Sequence, residues 1–238
     1  MGLIYAVDFG STFTKVVAFD LAAGEVRGVA QALTTAHNDI TLGLQQALTS
    51  LEERCGLKPE KADRFIACSS AAGGLRVVAV GLIPALTAKA AAEAALGAGA
   101  KIVGTFAHGL SREDMARVQQ LAPDIIVLAG GTDGGNEEVL LRNAETLSRA
   151  ELDVPIVIAG NKMAAPGAKA ALDGAGKEAV VVANVLPELD RLDVEPTREA
   201  IRDIFLRRIT HAKGLDRAHD IVGDVIMPTP LAVLKGAT

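Results

Sequence analysis

The chain has 238 residues, half of them hydrophobic, almost no aromatics, no Trp and a formal net charge of −5. That is room for one large or two small domains built on Ala, Val, Leu and Ile, with neither the basic stripe nor the aromatic stacking set that nucleic acid requires. Its two cysteines, Cys55 and Cys68, form no CxxC pair and its four histidines are scattered, which argues against structural zinc and a cysteine-ligated iron–sulfur cluster and suits reduced, cytoplasmic thiols.

In chain order, "LIYAVDF" (3–9) and "KVVAFD" (15–20) read as strands joined closely enough to pair as a hairpin. "GEVRGVAQALT" (24–34) adds a third strand. No basic region followed by an apolar stretch opens the chain, so no signal peptide is read. A helix is expected near 39–55, with Leu44, Ala47, Leu48 and Leu51 on one face and Gly56 as its stop. "DRFIACSSA" supplies a fourth strand and "LRVVAVG" (75–81) a fifth. The most apolar run, Val77 to Ala88, is interrupted by Gly81 and Pro84; it is far short of the roughly 20 residues that span a bilayer.

From Pro84 to Leu186 the pattern becomes a regular alternation. Helices are expected at 84–97, 111–122, 136–150 and 162–174, and strands at 101–106, 124–129, 154–159 and 178–183. Ser111 and Asp114 have capping-box spacing. "DIIVLA" is nearly all apolar, as a strand buried on both faces should be. Helical crossovers make this sheet parallel. A helix near 197–212 carries Ile201, Ile204, Phe205 and Ile209 on one face, and "IVGDVIMPTPLAVLKGAT" opens a new segment. Domain boundaries are expected near 82–86 and 188–196, giving parts 1–84, 85–187 and 188–238.

The turn in "YAVDFGSTFTKVVAFD" carries the chemistry. Gly10 lets a phosphate approach backbone N–H groups closely. Ser11, Thr12 and Thr14 add hydroxyl donors, Lys15 adds positive charge, and Asp8 at the strand end suits Mg²⁺ held through water. It is no P-loop, because no helix follows and GxxxxGK[ST] is absent. An ordinary hairpin turn draws on the same residue types.

A second stretch, "LAGGTDGGN" (128–136), leaves a buried strand and enters a helix. Open α/β sheets bind ligands there, so Gly130, Gly131, Thr132 and Asp133 form a candidate anion or ligand loop, with a plain turn capped by Asn136 as the alternative. Asn161 and Lys162 face the same cleft or cap the next helix. His37, His108, His211 and His219 show no metal or triad spacing, DxHxxG is absent, and no GxSxG elbow occurs.

Four stretches together, "DFGSTFTK", "LAGGTDGGNEEVLLRNAETL", "PIVIAGNK" and "NVLPELDRLDVEPTREAIRDIFLRRITHAKGL", resemble the glutamate (methylaspartate) mutase accessory protein family. This MutL-type family is unrelated to mismatch repair and belongs to the actin/hexokinase/Hsp70 ATPase superfamily. The resemblance implies an α/β chain: a ribonuclease H-like first half of an actin/Hsp70-type ATPase with an inserted parallel, flavodoxin-like domain. It implies ATP with Mg²⁺ as cofactors, Asp8 toward the metal, and Gly10, Ser11, Thr12 and Lys15 toward phosphates. Ala129 stands where the superfamily's second loop has an aspartate, so that role is not carried over. The implied function is a chaperone-like reactivating ATPase whose partners are subunits of an adenosylcobalamin-dependent mutase. Cobalamin is met only through the client, homo-oligomers are allowed for, and nucleic acid and membrane are not partners. The insert would dock by mimicking a mutase subunit. The superfamily's second half is expected where "PTPLAVLKGAT" ends, so the chain is expected to be a fragment, or a half whose partner is separate, with weak nucleotide binding and little turnover. A small-molecule kinase and a non-enzymatic scaffold or filament former are the alternative readings.

Overall fold

The computed structural model describes residues 2–10, 12–34, 39–70, 75–210, 221–223 and 225–236. The chain divides into two units, 1–74 with 205–238 and 75–204, so the second is inserted into the first.

In the first unit β1 (Leu3–Phe9), β2 (Phe13–Asp20) and β3 (Glu25–Leu33) form an antiparallel meander. The strand period of two sets its faces. Tyr5, Val7 and Phe9 pair with Ala18, Val16 and Thr14, and all six are buried. Helix α1 (Ile40–Cys55) packs on β2 and β3 through buried Leu44, Ala47, Leu48 and Leu51. Asp39 caps it by accepting from the Thr41 N–H, and Gly56 ends it at φ 66°. Strand β4 (Arg64–Ser69) then runs parallel to β1.

The second unit opens with β5 (Arg76–Gly81). A π-helical turn, Pro84–Ala88, leads into α2 (Lys89–Gly97), where the sequence reads as one continuous helix. The Thr87 hydroxyl accepts from the N–H groups of Leu82 and Ile83 at 2.7 and 3.0 Å, which tightens this entry. Then follow β6 (Lys101–Ala107), α3 (Arg112–Leu121), β7 (Ile125–Leu128), α4 (Glu138–Ser148), β8 (Ile156–Ile158), α5 (Ala165–Asp173) and β9 (Ala179–Val181). Ser111 and Asp114 form the expected capping box. All strand pairs are parallel, in the order β6-β5-β7-β8-β9. Counted within the unit this is 2-1-3-4-5, a doubly wound order.

The sequence places β5 with the preceding strands, whereas the structure puts it inside the second sheet. Val77, Val78, Ala79 and Val80 are fully buried between neighbours β6 and β7. A strand apolar on both faces needs cover on both, which the two-faced parallel sheet gives it. The divisions therefore fall between Gly74 and Leu75 and between Ile204 and Phe205, earlier and later than the pattern change suggested.

Helix α6 (Glu195–Thr210) leads back into the first unit, where β10 (Val225–Pro228) pairs parallel with β4 and α7 (Thr229–Gly236) follows at once. The first sheet has the order β10-β4-β1-β2-β3, so the whole second unit lies within the β4–β10 crossover.

Gly43 is a close approach between α1 and the meander: a Cβ there would lie 2.5 Å from the Leu33 carbonyl oxygen. Gly43→Ala is expected to cost about 1–3 kcal/mol by overpacking, read from the shift of the urea unfolding midpoint. An unchanged midpoint contradicts this close approach.

Candidate functional site

Asp8 lies one residue before the end of β1. Its register partner on β2 is Lys15 and on β4 is Cys68. Directly paired residues share a face, so carboxylate, ammonium and thiol stand together on the side opposite α1. Strand β10 brings a fourth group, because Thr229 follows it directly. The Thr229 hydroxyl donates to Asp8 Oδ1 at 2.7 Å, and the Cys68 sulfur lies 3.6 Å from both Asp8 Oδ1 and Thr229 Oγ1. Burial pushes the Cys68 thiol up; the Thr229 hydrogen bond opposes this, and the charge and hydrogen bond of Asp8 add to it, giving about 11. A thiol raised this far is held in its protonated form at physiological pH.

The turn residues divide between two roles. Gly10 donates its N–H to the Phe13 carbonyl at 3.1 Å, and a Cβ on Gly10 would sit 2.6 Å from that oxygen, so glycine is needed for the turn itself. Thr12 is exposed beside it, and its carbonyl accepts from the Thr34 N–H. Lys15 is exposed on the Asp8 side. Thr14 departs from the expectation: it is fully buried, with its hydroxyl 3.1 Å from that of Thr34. Pairing with Phe9 turns it toward α1, so it cannot also face a ligand beside Lys15. Ser11, His37, His211 and His219 lie outside the described residues.

In the second unit the glycine loop is held from two sides. Buried Asn161 donates to the carbonyls of Gly135 and Asn136, at 3.1 and 3.4 Å. Buried Asn184 donates to the Gly131 carbonyl and to Asp133 Oδ1, both at 3.0 Å. Asp133 also accepts from the Lys162 N–H at 3.0 Å, and the Lys162 ammonium stands 3.7 Å away. Burial pushes the Asp133 carboxyl up, but the bonds from Asn184 and Lys162 and the lysine charge outweigh it and hold the group below the usual aspartate range. Gly130 and Gly131 have φ of 154° and 69°, open only to glycine at ordinary cost. Asn136 accepts from the Val139 N–H at the start of α4, the capping role expected of it. Ala129 is buried and extends the β7 ladder through its N–H to Val80.

Thr132 lies in this loop and accepts from the Gly135 N–H through its carbonyl. A cleft of about 500 Å³ opens beside it, lined by Asp133, Lys162, Asn184, Glu188, Arg191 and Asp193. His108 sits at φ 66°, its N–H bonded to Leu82 O and its carbonyl to the amide of buried Asn143, so it is a tied loop residue. Among the described residues no group of three or more His, Cys, Asp or Glu side chains is placed to hold a metal, and no helix is long and apolar enough to cross a membrane.

Sequence reasoning missed Thr229, Asn143 and Asn184. The last stands alone among apolar residues in "VVVANVLP", a pattern that marks a buried polar tie. Thr229 sits between two prolines just past an apolar strand, the point where a chain can only turn or start a helix.

Fold and site define a two-unit α/β protein with a charged corner at one sheet edge and a clasped glycine loop at another. The chain belongs to the MutL protein family, which matches residues 4–238. Protein MutL of Clostridium tetanomorphum is 43% identical over 231 residues, covering 97% of this chain and 50% of that protein. The chain thus spans about half the length of this curated relative. A solved structure of nucleotide-free acetone carboxylase, described with the mechanism of ATP-dependent acetone carboxylation, aligns at 17% identity and a TM-score of 0.40. It covers 76% of this chain and 29% of the carboxylase chain, too slight a likeness to carry function.

The lowered Asp133 pKa makes a stability statement. A carboxyl depressed in the folded state stabilises it above the ordinary aspartate pKa, and that contribution is lost as pH falls through the lowered value. Asp133→Asn should therefore melt below the wild type at pH 7, and the gap should begin to shrink below about pH 4 and close once pH has fallen through the lowered value. A gap that persists at low pH contradicts the ionised clasp.

Proposed function

We propose that this chain supplies one wall of the nucleotide site of an ATP-dependent accessory protein that reactivates an adenosylcobalamin-dependent mutase, glutamate mutase or a related aminomutase. The observation that carries the reading is the corner where β1, β4 and β10 end and β2 begins. It gathers Asp8, Lys15 and the Thr229 hydroxyl on one face beside the Gly10 turn.

The strand order, an antiparallel meander extended by β4 and β10, supports the ribonuclease H-like reading of the first unit. The 2-1-3-4-5 order of the second supports the flavodoxin-like reading of the insert. Family membership supports the client class.

The donor set fits magnesium. A single carboxylate offers hard oxygen, and Mg²⁺ keeps most of its waters and takes the rest of its shell from phosphates. Asp8 would hold the ion through water, and the bound ion would neutralise phosphate charge. Lys15 adds a second positive charge from the adjacent strand, and Thr12 stands exposed at the turn where phosphate oxygens would lie. Phosphoryl chemistry of this kind needs little from the protein beyond positioning and charge neutralisation. Closure over the nucleotide would couple its state to the client.

Calorimetric titration of Mg-ADP and Mg-ATP into the whole chain tests this. Binding is expected in the high micromolar to millimolar range, on the order of 4–6 kcal/mol. Asp8→Ala and Lys15→Ala should each weaken it by about tenfold, the loss of one charge-assisted contact. Equal heats from wild type and both variants would contradict the site.

A further inference from the structure

We infer that Thr229 is a positioning residue for Asp8: its hydroxyl fixes one carboxylate oxygen so that the other is presented to the magnesium–phosphate side. The inference rests on the nucleotide reading above and adds to it the far end of the chain.

Thr229 and Asp8 are 221 residues apart, and the 2.7 Å bond between them joins the start of α7 to the end of β1. Strand β10 is not β1's neighbour; β4 lies between them. The bond therefore reaches across the end of β4, where the Cys68 sulfur sits 3.6 Å from both partners. Two groups thus converge on Asp8 Oδ1. The thiol is a weak donor at long range, whereas the hydroxyl, at 2.7 Å, lies within the O–H to carboxylate hydrogen-bond range. Thr229 is the group that sets the carboxylate's rotation.

The placement of Thr229 is itself constrained. Pro228 pairs with Ser69 at the end of the ladder, and Pro230 follows in the first turn of α7, a position where proline suits a helix start. Backbone on both sides is restricted, so the hydroxyl is delivered to one place. A carboxylate that binds a cation through water depends on orientation, and losing the group that orients a metal-binding side chain typically weakens metal binding 10- to 100-fold. A hydroxyl that merely ties β10 to the sheet would alter stability and leave the magnesium dependence alone.

The experiment titrates ADP into the whole chain at a series of Mg²⁺ concentrations, with circular dichroism confirming the fold of each variant. Thr229→Val is expected to raise the Mg²⁺ concentration for half-maximal enhancement of ADP binding by roughly 10-fold or more, with metal-free ADP affinity unchanged. Thr229→Ser keeps the hydroxyl and should restore the wild-type dependence. If the valine variant fails to fold, Thr229→Ala is read in its place. A wild-type Mg²⁺ dependence in the valine or alanine variant, with Asp8→Ala abolishing it, overturns the positioning role and leaves the nucleotide reading standing. A serine variant as impaired as valine also overturns it. If Asp8→Ala leaves the dependence unchanged, or the wild type shows none, the nucleotide reading falls and this inference with it.

Discussion

The register of β1 against its two neighbours governs what the first unit can do. Asp8 pairs with Lys15 on one side and Cys68 on the other, and the period of two sends Val7, Phe9 and their partners to the α1 side. One residue of slip would bury the carboxylate under α1 and expose Phe9. The apolar pairs Tyr5–Ala18 and Val7–Val16 therefore do more than build a core: they fix which face carries charge. The same alternation explains why Lys15 is available and Thr14 is not. It also makes the corner depend on a crossover of unusual length, since β10 delivers Thr229 only after the chain has built the entire second unit.

The glycine loop of the second unit solves a different problem. Leaving β7, the chain must turn at the carboxyl edge of a parallel sheet, where backbone groups lose their ladder partners. Two buried asparagine amides supply replacements from neighbouring strand ends, Asn161 after β8 and Asn184 after β9. Asp133 knots the two together by accepting from Asn184 and from the backbone of Lys162. The buried Gly131 carbonyl so satisfied costs little, whereas left unsatisfied it would cost about 1–3 kcal/mol. The loop's polar residues are largely engaged with the protein's own strands, in contrast to the exposed Thr12 and Lys15 of the hairpin.

How much of this was legible follows from how far apart the partners lie. The meander, α1 with its Gly56 end, the Ser111–Asp114 box and the parallel alternation all arise from neighbours within a few residues, and the sequence shows them directly. Asp8 and Lys15 were legible because a short turn makes them partners. The failures have longer reach. "RVVAVG" suits either sheet by composition, and only its pairing with β6 and β7 decides. Thr14 looked like its hydroxyl neighbours until the strand extended through it. Thr229 could not be linked to Asp8 without knowing that β10 follows β4 across an inserted unit, and the π-helical entry to α2 depends on one threonine hydroxyl rather than on periodicity.

The most direct test of the account follows backbone amides of the whole chain by ¹H–¹⁵N correlation spectroscopy as Mg-ADP is added. Shifts are expected at Gly10, Thr12, Lys15 and Cys68, with the amides of Gly130, Gly131 and Asp133 unmoved. Shifts confined to the glycine loop would contradict it, as would none at millimolar nucleotide.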